Sequence, residues 1–121
     1  AYLSGHGPLL TGGKLITGRL GLDLDVEAGF EAARVTGMGM LSTLQVQLGS
    51  LDKVKRLVKL LGLVRCADSF DQQPAVINGC SELFREVFGD DAGVAARSAI
   101  GTNALPGGIA VEIEAIFEVD A

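Results

Sequence analysis

Between Ile109 and Val119 the chain alternates without interruption: Ile109, Val111, Ile113, Ala115, Phe117 and Val119 are interleaved with Ala110, Glu112, Glu114, Ile116 and Glu118. Successive side chains of a strand point to opposite faces, so this segment reads as a strand with one wholly apolar face. That face has to be covered, and the elements to cover it are helices upstream. The opposite face carries Glu112, Glu114 and Glu118. Charged side chains stay in water as a rule, so a solvent-facing surface accounts for them.

From Val26 to Leu48 the apolar positions Val26, Phe30, Ala33, Gly37, Leu41, Leu44 and Leu48 fall at helical spacing. Asp25 is placed to cap the start and Gly49 to end it. Gly37 and Gly39 each cost about 1 kcal/mol relative to Ala, tolerable where the helix lies close against a sheet. A second helix is expected from Pro74 to Phe88, with proline in its first turn. Val76, Cys80, Leu83, Phe84 and Val87 mark its inner side, and Gly89 its end. The stretch from Val54 to Cys66 reads two ways. Val54, Leu57, Val58 and Leu61 suit a helix, whereas the apolar pairs and Gly62-Leu63-Val64 suit a strand buried on both faces. Tyr2–Ser4 and Lys14–Gly18, joined across Pro8 and Gly12-Gly13, are expected to pair as a hairpin. Ala95–Leu105 reads as a strand leading into the turn Pro106-Gly107-Gly108.

Composition acts mainly by exclusion. The 121 residues contain no repeat and no linker; their 17 glycines are scattered among periodic segments, so one domain over 1–121 is expected. Ten basic against fifteen acidic residues leave a net charge of −5, which argues against a nucleic-acid partner. A single histidine, His6, leaves zinc sites and His-paired nucleophiles poorly supplied. Cys66 and Cys80 form no C-x-x-C and read as buried small hydrophobes. No stretch approaches the ~20 apolar residues that span a bilayer. The opening AYLSGHGPLL has neither the basic region nor the long apolar run of a signal peptide. A soluble, cytoplasmic protein with no membrane partner is the expectation.

One constellation carries chemistry. Arg97 precedes the small-residue stretch Ser98-Ala99-Ile100-Gly101, and Glu112 opens the Glu-Ile-Glu strand after the Pro-Gly-Gly turn. Paired as a hairpin, these strands bring Arg97 and the carboxylates to a common edge. An arginine there can hold a substrate carboxylate through two parallel hydrogen bonds, and a neighbouring glutamate can move protons or orient water. A plain surface ion pair between Arg97 and a glutamate is the alternative.

The run Ala95-Ala96-Arg97-Ser98-Ala99-Ile100, then Leu105-Pro106, then Val111-Glu112-Ile113-Glu114-Ala115 resembles the C-terminal signature of the RidA/YjgF family of reactive-intermediate deaminases, also labelled endoribonuclease L-PSP. Ser4-Gly5 and Asn78 extend the resemblance over nearly the whole chain. It implies an α+β, chorismate-mutase-like fold of order β-β-α-β-α-β-β, a mixed sheet with two helices on one face. It implies a strand, not a helix, from Lys53 to Arg65. It also implies a homotrimer whose outer sheet faces close a central barrel, with small-molecule clefts between subunits. The matching arginine, Arg97, binds a carboxylate with help from backbone groups at Gly5; Glu112 is associated with the hydrolytic water; Asn78 and His6 lie near the cleft. Three departures mark a divergent branch: His6 stands where the deaminases generally carry Gln, Ser98-Ala99 stand where a cysteine follows the arginine, and the segment before the first strand, which in those proteins brings an aromatic group to the cleft, is not expected to do so here.

The resemblance therefore implies hydrolysis of 2-enamine or 2-imine intermediates to 2-oxo acids and ammonia, with Arg97 as anchor and Glu112 assisting water. No cofactor is implied, because a protonated imine is already electrophilic. A non-catalytic protein sensing a small carboxylate through the same cleft is the second reading. RNA cleavage is the third, disfavoured by the acidic balance and the lack of a histidine pair.

Overall fold

The alternating C-terminal segment lies inside the sheet. The computed structural model describes residues 1–120 as β1 (Tyr2–His6), α1 (Val26–Leu48), β2 (Val54–Arg65), α2 (Gln73–Ala92), β3 (Ala96–Thr102) and β4 (Val111–Val119). The strand order is β1-β4-β2-β3. Strand β4 is antiparallel to both its neighbours, and β2 runs parallel to β3. A parallel pair needs a crossover, and α2 supplies it. The result is an α+β fold with a mixed sheet and two helices on one face.

Val111, Ile113, Ala115 and Phe117 are buried on the helix side of β4, while Glu114 and Glu118 are exposed and Glu112 is half-buried. Phe117 meets Phe84 of α2 edge-on, with ring centroids 5.5 Å apart at 74°. This geometry is the favourable one for aromatic quadrupoles. The segment with two readings is a strand. Leu57, Leu60, Gly62 and Val64 of β2 are buried, and Lys59, Leu61, Leu63 and Arg65 lie between them on the other face.

Helix α1 begins and ends where its caps place it. The Asp25 carboxylate accepts a hydrogen bond from the Ala28 N–H at 2.8 Å, and Gly49 closes the helix at φ 85°. Its buried stripe is Gly29, Ala32, Ala33, Thr36, Gly37, Met40, Leu41 and Leu44. Phe30 and Leu48 are only half-buried, so the inner face is narrower and built of smaller residues than the apolar spacing suggests. The reason is the neighbouring helix. A Cβ on Gly79 of α2 would overlap the Phe30 carbonyl of α1, so the two backbones meet where only glycine fits. Gly37 likewise packs on α2, with Leu83 and Cys80, rather than on the sheet, and Gly39 faces open space. On α2, Val76, Ile77, Cys80, Leu83 and Phe84 are buried, but Val87 is exposed. Helical geometry breaks at Gly89, φ 95°, where the sequence places its end.

Two expected pairings do not form. Lys14–Gly18 is not a strand. The Gly12-Gly13 turn forms, with the Leu10 N–H bonded to the Lys14 carbonyl at 2.7 Å, but its ladder reduces to one bridge, Leu9 to Leu15. Edge strand β1 already has β4 as its partner, and Thr17 bridges instead to Ile109. The observed order is thus β-α-β-α-β-β. Nor do β3 and β4 make a hairpin, because β2 lies between them and pairs with both. Among the described residues, no helix is long and apolar enough to cross a membrane.

Candidate functional site

Arg97 pairs in register with Leu60 on β2 and shares its helix-side orientation. Above it, α2 presents Asn78 and Ser81, three residues apart and therefore on one helix face. One guanidinium nitrogen, Nη1, donates to Asn78 Oδ1 at 2.7 Å and to Ser81 Oγ at 3.1 Å. Nε and Nη2 of Arg97 make no hydrogen bond among the described residues. The side chain is thus fixed through one nitrogen while its remaining donors stay free. Arg97 lines a cleft of about 460 Å³ with Leu57, Leu60, Ser81, Glu82 and Arg85. The neighbouring Cys80 is a free, buried cysteine. Burial pushes its thiol up to about 12, against a smaller downward pull from the Arg97 guanidinium, so it stays protonated.

Glu112 lies elsewhere. It alternates with the buried Val111 and Ile113 and so faces away from the helices, paired in register with Leu63. Gly5 stands against it, and a Cβ at that position would lie 2.5 Å from Glu112 Oε2. The close approach comes from an irregularity in β1. Leu3 pairs with Ala115 and His6 with Ile113, so Ser4 and Gly5 together oppose the single residue Glu114. Such a bulge bends the strand and re-aims its residues. The Glu112 carboxylate makes no hydrogen bond or ion pair among the described residues.

His6 turns to the helix side. Its Nδ1 lies 2.7 Å from the Ser4 carbonyl, its Nε2 lies 2.8 Å from Thr43 Oγ1 of α1, and Thr43 also donates to the Gly39 carbonyl at 3.2 Å. A carbonyl only accepts, so Nδ1 carries a proton. The ring fastens the bulge to α1.

The five residues singled out from sequence therefore fall into separate groups: Arg97 with Asn78, Gly5 with Glu112, and His6 engaged with Thr43. Arg97 and Glu112 share no edge, because β2 separates their strands and they face opposite sides of the sheet. Ser81, Glu82 and Arg85 were not singled out. Their signal is the spacing from Asn78, which places all four on one stripe of α2. No group of three or more His, Cys, Asp or Glu among the described residues is placed to hold a metal ion.

Known proteins extend the description. The model of the family described as YjgF/chorismate mutase-like, putative endoribonuclease, matches residues 1–111. Protein TCP17 of Trypanosoma cruzi is 43% identical over 119 residues, covering 98% of this chain and 74% of its own length. The crystal structure of Atu1372, a protein with unknown function from Agrobacterium tumefaciens, superposes with a TM-score of 0.94 at 38% identity, covering 98% of this chain and 75% of that one. A structure from Shewanella oneidensis described as a putative endoribonuclease gives 0.92 at 28% identity, covering 98% and 78%. Matched by that family model over residues 1–111, this chain belongs to the YjgF/chorismate mutase-like family.

Proposed function

We propose that this chain hydrolyses small 2-imino acids to 2-oxo acids and ammonia in clefts completed between copies of itself in a homotrimer. The observation that carries the reading is Arg97, anchored through Nη1 with Nε and Nη2 free beside a cleft. Those two nitrogens form the fork that suits a planar carboxylate. Bound this way, the substrate presents its C=N carbon to water. Water adds to that carbon of the protonated imine as Glu112 takes one of its protons, giving a carbinolamine. Glu112 returns the proton to the amino nitrogen, the C–N bond breaks with its electron pair leaving on ammonia, and the hydroxyl gives its proton back to Glu112 as the C=O of the 2-oxo acid forms. Glu112 suits this role because it is half-buried, without a partner among the described residues, and kept beside a backbone with no side chain at Gly5. Since Arg97 and Glu112 face opposite sides of one sheet, they serve one substrate when Glu112 comes from a neighbouring copy.

The same separation favours a second reading: the anchor alone suffices for a protein that binds a small carboxylate without turnover. Cleavage of RNA, suggested by the description of the Shewanella relative, has less support here, because the single histidine is engaged with Ser4 and Thr43. Ammonia release from freshly generated 2-iminopropanoate and 2-iminobutanoate tests the proposal. Acceleration well above the buffer rate is expected. Binding of 2-oxobutyrate without acceleration replaces the enzyme with the sensor.

A further inference from the structure

We propose that the cleft beside Arg97 is built for a dicarboxylate, an imino or amino acid with a second carboxylate that Arg85 receives. The inference rests on the reading of Arg97 as a carboxylate anchor and names the substrate class of that site. On α2, Asn78, Ser81, Glu82 and Arg85 follow the spacing of one helix face, and all four line the cleft. The first two are engaged by Arg97. The last two are not. Arg85 stands one turn beyond Ser81, about 5.4 Å along the axis, so a second cationic group lies within a short ligand's length of the first.

Arg85 is free to take such a ligand. Its ion-pair partner is Asp90 at 3.9 Å, a carboxylate almost wholly in solvent, and such a pair holds its members weakly. Glu82 follows Ser81 on α2 and lines the same cleft as the two arginines. The wall thus carries two guanidinium groups and one carboxylate. An imino or amino dicarboxylate with a protonated nitrogen matches that set group for group: two carboxylates for the arginines and one cationic nitrogen for Glu82. A monocarboxylate leaves Arg85 unanswered. The cleft of about 460 Å³ also falls within the ~300–1,000 Å³ of sites that take ligands larger than a three-carbon acid.

Calorimetry on the full chain at low salt, with 2-oxobutyrate, 2-oxoglutarate and L-glutamate, tests this. The expected result is roughly three- to tenfold tighter binding of 2-oxoglutarate than of 2-oxobutyrate. Arg85→Gln should bring that ratio close to one, and Arg85→Lys should keep part of it. Glu82→Gln should weaken L-glutamate more than 2-oxoglutarate. Arg85 is on the surface, and melting curves verify that the variants fold. Equal affinities for 2-oxobutyrate and 2-oxoglutarate in the wild type overturn the inference and leave Arg97 as anchor. A preference that survives Arg85→Gln overturns the assignment to Arg85. Failure of all three ligands to bind overturns the anchor itself, and the inference with it.

Discussion

Replacing Arg97 with lysine keeps the charge and removes the fork. In the wild type Nη1 is committed to Asn78 Oδ1 and Ser81 Oγ, which leaves Nε and Nη2 for a ligand. A lysine has one nitrogen on a shorter, unbranched tip, so it can answer α2 or the ligand but not both. Losing one hydrogen bond to a charged group costs about 1.5–3 kcal/mol, or roughly ten- to a hundredfold in affinity. Lost bonds to Asn78 and Ser81 add about 0.5–1.5 kcal/mol each to the destabilisation of the fold. Calorimetry with 2-oxobutyrate reads the first effect and thermal melting the second. Expected are weaker binding in Arg97→Lys and a modest drop in melting temperature. Unchanged affinity together with unchanged melting would refute both the anchor and its hold on α2.

Further outcomes follow from the same geometry. Glu112→Gln should leave 2-oxobutyrate binding intact and lower imine hydrolysis by about 10²–10⁴-fold; Glu114→Gln, two residues along the same face, is measured beside it, and an equal loss there would move the role off Glu112. Light scattering at micromolar concentration should give about three times 12.5 kDa, and a monomer would remove the shared cleft. Burial raises the Cys80 thiol from an ordinary 9.0 to about 12, so its contribution is full below pH 9 and is lost as pH rises towards 12. That window holds on the order of 4 kcal/mol. Urea titrations should show a steeper alkaline loss in the wild type than in Cys80→Ala, and parallel losses would contradict the burial.

How much of this was legible in the sequence depended on range. The alternation of β4 and the caps Asp25 and Gly49 are local signals, and the structure keeps them. The segment from Val54 to Cys66 is ambiguous by periodicity alone, because Leu57 and Leu60 are buried across an irregularity in β2 that imitates helical spacing. Pairing partners were less legible still. Pro106-Gly107-Gly108 is a real turn, but nothing local says that the strands it joins flank β2 instead of each other. For that reason Arg97 and Glu112, near in sequence and joined by a shared motif, lie on opposite sides of the sheet. Asn78 was identified through resemblance, while Ser81 beside it needed only helical spacing.

Separating the anchor from the carboxylate across a sheet has a genetic consequence. Two defective copies of this chain, one lacking the Arg97 fork and one lacking the Glu112 carboxylate, each retain the half that the other has lost. If clefts form between copies, then co-assembly of the two should rebuild about a quarter of them intact by random mixing around a closed ring. Alleles that are each null would then complement when expressed together, whereas two lesions on the same face would not. With the cleft shared as proposed, the assembly rather than the chain is the unit on which loss of function is scored.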